Sequence, residues 1–180
     1  NFRLKIDDYK GENGGIVFPN PNAPTGIYES LDHVEEIIKN NPGVIVIVDE
    51  AYIDFGGETA LPLIDKYDNL VVVRTFSKSR SMAGLRIGYA ISNPELIKAL
   101  NDVKYSYNSY TMNRPSLVLG VESIHDDAYF REKVGQIIAT RERFVKEIAE
   151  LGFTCLPSTA NFVFATHESI PAKEIFAAAK

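Results

Sequence analysis

Between residues 49 and 86 the chain carries a carboxylate (Asp49), a phenol (Tyr52), two hydroxyls (Thr75 and Ser77), an amine (Lys78) and a guanidinium (Arg86). A lysine amine condenses with a carbonyl to a Schiff base, and a carboxylate can hold a heteroaromatic ring nitrogen protonated. Hydroxyls beside a guanidinium suit a phosphate dianion, the arginine by charge and forked donors, the hydroxyls by neutral hydrogen bonds. Thr75, Ser77 and Arg86 stand at offsets of minus three, minus one and plus eight from Lys78. From spacing alone, a structural Asp49–Lys78 ion pair, or a lysine solvated at the rim, accounts for the same two residues. Arg86 taken singly reads as a surface salt bridge, and Tyr52 as an aromatic covering a sheet end.

The elements that must position these groups are two apolar runs. Val44 to Val48 is an unbroken β-branched stretch without alternation, the pattern of a strand buried on both faces of a parallel sheet, and Leu70 to Val73 reads the same way. Between them TALPLIDKYDN is long enough for a short helical crossover, which makes the pair a βαβ unit with strands pointing in one direction. Ligands of open α/β sheets bind beyond the carboxyl ends of the strands, and those ends carry Asp49, Glu50, Tyr52, Thr75, Ser77 and Lys78. An acid and an amine therefore face one crevice.

PNPNAPTG (Pro19 to Gly26), VDEAYIDF (Val48 to Phe55) and RTFSKSRSMAGLRIGY (Arg74 to Tyr89), in this order and spacing, resemble the fold type I pyridoxal-phosphate aminotransferases of class I/II. Within them the chain looks most like the histidinol-phosphate aminotransferase family. The likeness continues through SYNSYTMN and ANFVF and covers nearly the whole chain. It implies pyridoxal 5'-phosphate as cofactor, with Lys78 as catalytic residue, at once anchor and general base. It further implies Asp49 at the ring nitrogen, Tyr52 and Asn22 at the ring's phenolic oxygen, and Thr75, Ser77 and Arg86 at the phosphate. Many members read Asn-Asn-Pro-Thr-Gly, whereas Ala23 here precedes Pro24, so Asn20 is kept beside Asn22 as the alternative. Either asparagine, read without the resemblance, is a turn residue. Arg80 is expected in solvent or behind the phosphate-binding groups. Tyr107 and Asn108 are expected near a subunit boundary, or in a plain aromatic packing loop, and Asn161 near the site.

Composition bounds the rest. With 180 residues, 45% apolar and 24% charged, the chain can bury a real core. A formal charge of −5 offers no basic footprint for nucleic acid or an anionic membrane. Cys155 is the only cysteine, which excludes an intrachain disulfide and makes a reducing cytoplasm the simplest setting, with the thiol a small buried group. Without a long apolar span or a charged-then-apolar leader in these residues, neither a membrane segment nor an export signal is expected. His33, His125 and His167 lack metal-ligand spacing.

In chain order, NFRLKIDDYKGENGG reads as the tail of a strand followed by a connection, and Gly15 to Phe18 as a short strand. The proline-rich loop follows, and then a helix from LDHVEEIIKNN capped by Ser30. Leu85 to Ile91 reads as an added antiparallel strand, Pro94 to Leu100 as a helix, and KYSYNSYTMN as irregular. Arg114 to Ile124 and Ala128 to Leu151 carry helical periodicity, stopped by Gly152. PAKEIFAAAK starts a further helix without a stop signal, and the abrupt ends read as those of a fragment. The fold expected from this and the resemblance is α/β: a three-layer large domain with a mostly parallel sheet over 1–151, and the beginning of a small α+β domain over 152–180.

The expected activity is transamination between L-histidinol phosphate and 2-oxoglutarate, giving imidazole-acetol phosphate and L-glutamate in histidine biosynthesis, by a homodimer. The isolated piece is expected to turn over little. The alternatives are a related aminotransferase, a threonine-phosphate decarboxylase, or a non-catalytic α/β binding or scaffold domain. Absence of GxGxxG and GxxxxGK[ST] weighs against a nucleotide-binding one.

Overall fold

The computed structural model describes residues 2–180. Four strands form the main sheet in the order β1 (Ile16–Pro19), β2 (Val46–Asp49), β3 (Leu70–Thr75) and β4 (Gly88–Ile91). β1, β2 and β3 are parallel, and β4 runs antiparallel on β3, as the sequence pattern predicts. The register aligns the three parallel strands at their carboxyl ends, with Pro19 opposite Asp49 and Asp49 opposite Val73.

One face of this sheet holds the core. Ile16, Phe18, Val46, Val48, Leu70 and Val72 pack with Val34, Ile37 and Ile38 of α1 (Leu31–Asn40). Helix α1 forms as read, with Ser30 Oγ accepting from His33 N at 3.4 Å and its apolar residues at helical spacing on the buried side. The opposite face is less covered, since Val17 is 68% exposed and Ile47 half-buried. β2 is therefore not enclosed equally on both sides, and it starts two residues late because Val44 N donates to Asn41 O in a turn.

Other expectations are corrected. The start of the chain has no strand among the described residues; it leads into a 3-10 turn, Ile6–Tyr9. The short helical crossover expected between β2 and β3 is present only as a 3-10 turn, Leu61–Leu63, with Pro62 near its start. Ala83–Leu85 is another 3-10 turn, so β4 is shorter than the alternation implied. Helix α2 (Pro94–Tyr107) runs seven residues past Leu100 to Tyr107, because nothing before Asn108 breaks it and Lys98 pairs with Asp102 one turn on at 2.6 Å.

Helices α3 (Arg114–His125) and α4 (Asp127–Ala149) follow, and Gly152 at φ +87° ends the second. β5 (Phe153–Cys155) and β6 (Ala165–His167) pair as a separate antiparallel ribbon, and α5 (Ala172–Ala179) comes last. Among the described residues no helix is long and apolar enough to cross a membrane.

Candidate active site

Strand alternation sorts the polar groups at the sheet's carboxyl end. Asp49 pairs with Val73, and Thr75 lies two residues beyond Val73, so Asp49 and Thr75 project from the less covered face. The ladder continues one residue through Glu50 N to Val73 O (2.8 Å), and Glu50 and Arg74 fall on the core side. There Glu50, 3% exposed, accepts from Arg74 Nε (3.0 Å) and Nη2 (2.8 Å), from Thr59 Oγ1 and from Ala60 N. Burial disfavours a charged guanidinium at Arg74, but the hydrogen bonds and charge of Glu50 more than offset it and raise its pKa above the ordinary arginine value. The ion pair of this region is thus Glu50–Arg74, which the sequence left unassigned.

The Asp49–Lys78 ion pair, the alternative that spacing alone allowed, does not form. Asp49 Oδ1 accepts from Ala51 N at 3.0 Å, and no cation among the described residues pairs with either carboxylate oxygen. Lys78 has no carboxylate partner among the described residues; its Nζ lies 5.3 Å from the centroid of the Tyr52 ring. An unpaired carboxylate and an unpaired amine at adjoining strand ends leave both free for a ligand.

Around them the hydroxyls are wired together. Ser77 N donates to Thr75 Oγ1 (3.0 Å), and the Thr75 hydroxyl donates to Ser77 Oγ (2.9 Å) or Ile87 O (3.2 Å). In the first arrangement the Ser77 hydroxyl proton stays uncommitted among the described residues. Arg86 precedes Ile87 in left-handed backbone (φ +56°), exposed, with Nη1 donating to Ala83 O at 3.0 Å. The β3–β4 pairing therefore brings the Arg86 backbone to the Thr75–Ser77 end.

The two loop asparagines differ. Asn20, 4% exposed, spends its amide on backbone: Nδ2 donates to Glu29 O (3.0 Å), and Oδ1 accepts from Glu29 N (2.9 Å). It is a buried clamp across the proline-rich loop, its amide nitrogen and oxygen both turned to the Glu29 backbone. Asn22 is half-buried, and Nδ2 donates to Thr25 Oγ1 at 2.6 Å while its side-chain oxygen stays open.

Phe162 and Ser79 are not singled out in the sequence, whereas Arg80, Asn161, Tyr107 and Asn108 are. Phe162 stands edge-on to Tyr52, with centroids 5.1 Å apart at 90°. Ser79 Oγ donates to Asp54 Oδ2 at 2.5 Å, joining the segment after Lys78 to the turn after Tyr52. Arg80 is not solvent-facing: its guanidinium lies 4.1 Å from the Phe130 ring centroid and 5.3 Å from that of Phe76, and it donates to Ser123 O and Oγ. Asn161, beside Phe162, is exposed on a cavity of about 600 Å³ against α4 that also reaches Ser81 and Arg141. Tyr107 is 92% exposed and Asn108 also exposed, so neither joins the strand-end group nor packs as an aromatic loop.

With this geometry in view, a family model for aminotransferase class I and II matches residues 1–178. The histidinol-phosphate aminotransferase of Brachyspira hyodysenteriae is 52% identical over 177 residues, covering 98% of this chain and 50% of that protein. Among solved structures, the histidinol-phosphate aminotransferase of Clostridium acetobutylicum superposes with a TM-score of 0.85 at 27% identity, over 97% of this chain and 52% of that one. The Sinorhizobium meliloti enzyme of the same name, in complex with pyridoxal-5'-phosphate, gives a TM-score of 0.78 at 28% identity, over 87% and 43%. The chain spans about half the length of the curated relatives it matches.

Proposed function

This chain belongs to the class I and II aminotransferases, and from that premise we propose that its protein exchanges an amino group between L-histidinol phosphate and 2-oxoglutarate, using pyridoxal 5'-phosphate. The observation that carries the reading is the pair of uncommitted groups at the strand ends, the Lys78 amine and the second oxygen of Asp49. The donor set fits the coenzyme: an amine for its carbonyl, a carboxylate for its ring nitrogen, and a phenol and an amide for its ring oxygen. Hydroxyls and a guanidinium remain for its phosphate.

When bound, the coenzyme supplies an electron sink for the charge left when the substrate loses its α-proton. Lys78 would hold its carbonyl carbon and, as a free amine, would be the base for the proton on the substrate's α-carbon. Asp49, held by Ala51 N through Oδ1, would offer its other oxygen to the ring nitrogen and keep that nitrogen protonated. Tyr52 and Asn22 would donate to the ring's phenolic oxygen. Ser77, whose hydroxyl keeps its proton when Thr75 donates to it, would donate a hydrogen bond to the phosphate, and Arg86 would add charge there.

A homodimer is part of the proposal. Supporting it, α2 and α3 present Val103, Tyr105, Leu117, Val118 and Val121, all at least half exposed, to the outside. The proposed setting is the cytoplasm.

The test is absorbance on adding pyridoxal phosphate, borohydride trapping and peptide mapping, with Lys78→Ala alongside and a panel of amine donors for the enzyme. A visible band with the label on Lys78, lost in Lys78→Ala, and preference for histidinol phosphate are expected. A label that maps elsewhere would overturn the site, and preference for another donor would overturn the substrate.

A further inference from the structure

Helix α4 sends one side chain toward the strand ends that the reaction above does not use. Arg141 is half-buried, and its Nη1 donates to two carbonyls from distant parts of the chain, Phe55 O at 3.0 Å and Ala160 O at 2.8 Å. No other donor among the described residues serves either oxygen. Phe55 closes the turn that opens at Tyr52, its N–H donating to Tyr52 O at 3.1 Å. Ala160 is fully buried at the bend between β5 and β6, two residues before Phe162.

That bend has its own internal wiring. Ser158 Oγ accepts from Ala160 N (3.1 Å) and donates to Phe162 O (2.6 Å), while Thr159 N donates to Gly26 O (2.9 Å) in the loop of Asn22. Phe162 is the residue that meets Tyr52 edge-on. One guanidinium therefore joins α4, the turn carrying Tyr52 and the bend carrying the ring that packs on Tyr52. It does so for two carbonyls rather than a carboxylate, and burial pushes its pKa down, the opposite direction from Arg74. Burial outweighs the charge of neighbouring Glu142, and the two carbonyl bonds hold the side chain in place.

We propose that Arg141 is a positioning residue for the transamination: by docking the 158–162 bend onto the Tyr52 turn it orients the phenol that tunes the coenzyme bound at Lys78. This rests on the coenzyme reading above. A phenol free to swing would give up part of its hydrogen bond to the ring oxygen. The proton affinity of the Lys78 linkage would then move in the direction that deleting the hydroxyl moves it.

The test is the pH midpoint of the visible band of Lys78-linked pyridoxal phosphate in the full chain. Tyr52→Phe sets the direction. Arg141→Met is expected to shift the midpoint the same way by about half a unit to one unit, Arg141→Lys to recover most of it, and Arg141→Met added to Tyr52→Phe to shift it no further. Phe162→Leu, which leaves both carbonyls bonded, is expected to give a smaller shift of the same sign. A purely structural arginine would lower the urea midpoint of Arg141→Met and leave the band's pH midpoint where it was, and that result overturns the proposal. If Arg141→Met does not fold, an unmoved midpoint in Phe162→Leu overturns it equally. A band absent from the unsubstituted chain, or unaffected by Lys78→Ala, overturns the coenzyme reading, and this inference with it.

Discussion

Glu50 and Asp49 are covalent neighbours with opposite fates: Glu50 is clamped by the Arg74 guanidinium at 2.8 and 3.0 Å on the core side of the sheet, while Asp49 meets only a backbone N–H on the other. Adjacent residues in extended backbone point to opposite faces, so one step of sequence separates a carboxylate spent on an ion pair from one left open.

Glu50→Gln is expected to destabilise the fold by roughly 3 kcal/mol, because it leaves Arg74 without its counter-charge and turns an amide donor toward guanidinium donors. The urea midpoint measures this. A change below about 1 kcal/mol would mean that solvent reaches the pair.

Asp49→Asn keeps an oxygen for Ala51 N and removes the charge. Affinity for pyridoxal phosphate should fall about ten- to a hundred-fold with thermal stability unchanged, the cost of one hydrogen bond to a charged partner. Equilibrium titration of the band checks it, and an unaltered Kd would remove Asp49 from the ring nitrogen.

Gly26 sits at φ +77°, where a Cβ would overlap the Ser158 side chain. Gly26→Ala should cost roughly 2–4 kcal/mol, through backbone strain and loss of the docked bend. Faster proteolytic cleavage within 156–164 at temperatures below unfolding is the specific readout; a lower melting temperature alone would leave the bend docked.

Cys155 is half-buried, and burial pushes its thiol up from the ordinary value. A higher pKa means less thiolate at a given pH. Alkylation by iodoacetamide at pH 8 should therefore run about three- to ten-fold slower than for a free cysteine, and should reach the free rate in urea. Equal rates in the native and unfolded chain would show that the thiol is open to solvent.

Much of the architecture is legible in the amino-acid order. The apolar runs around Val46 and Leu70, the Ser30 cap and the Gly152 stop are local signals, each set by neighbours within about four residues. Three motifs in fixed order carry the cofactor reading, because backbone ladders deliver successive strand ends to one edge. The part of helix α2 beyond Leu100 is not legible in this way, since its aromatic residues resemble a loop and only the lack of a breaker before Asn108 says otherwise.

By itself, then, the sequence determined the strands, the caps and the set of groups that gather at the carboxyl edge of the sheet, all properties of short-range periodicity and of motif order. Only the tertiary structure decided which of those groups are already spent. It committed Glu50 to Arg74, Asn20 to the Glu29 backbone and Arg80 to Phe130, and it left Asp49, Asn22 and Lys78 open. The reason is physical: a hydrogen bond or ring contact between residues 24, 50 or 86 positions apart depends on register and helix docking, which no local pattern encodes.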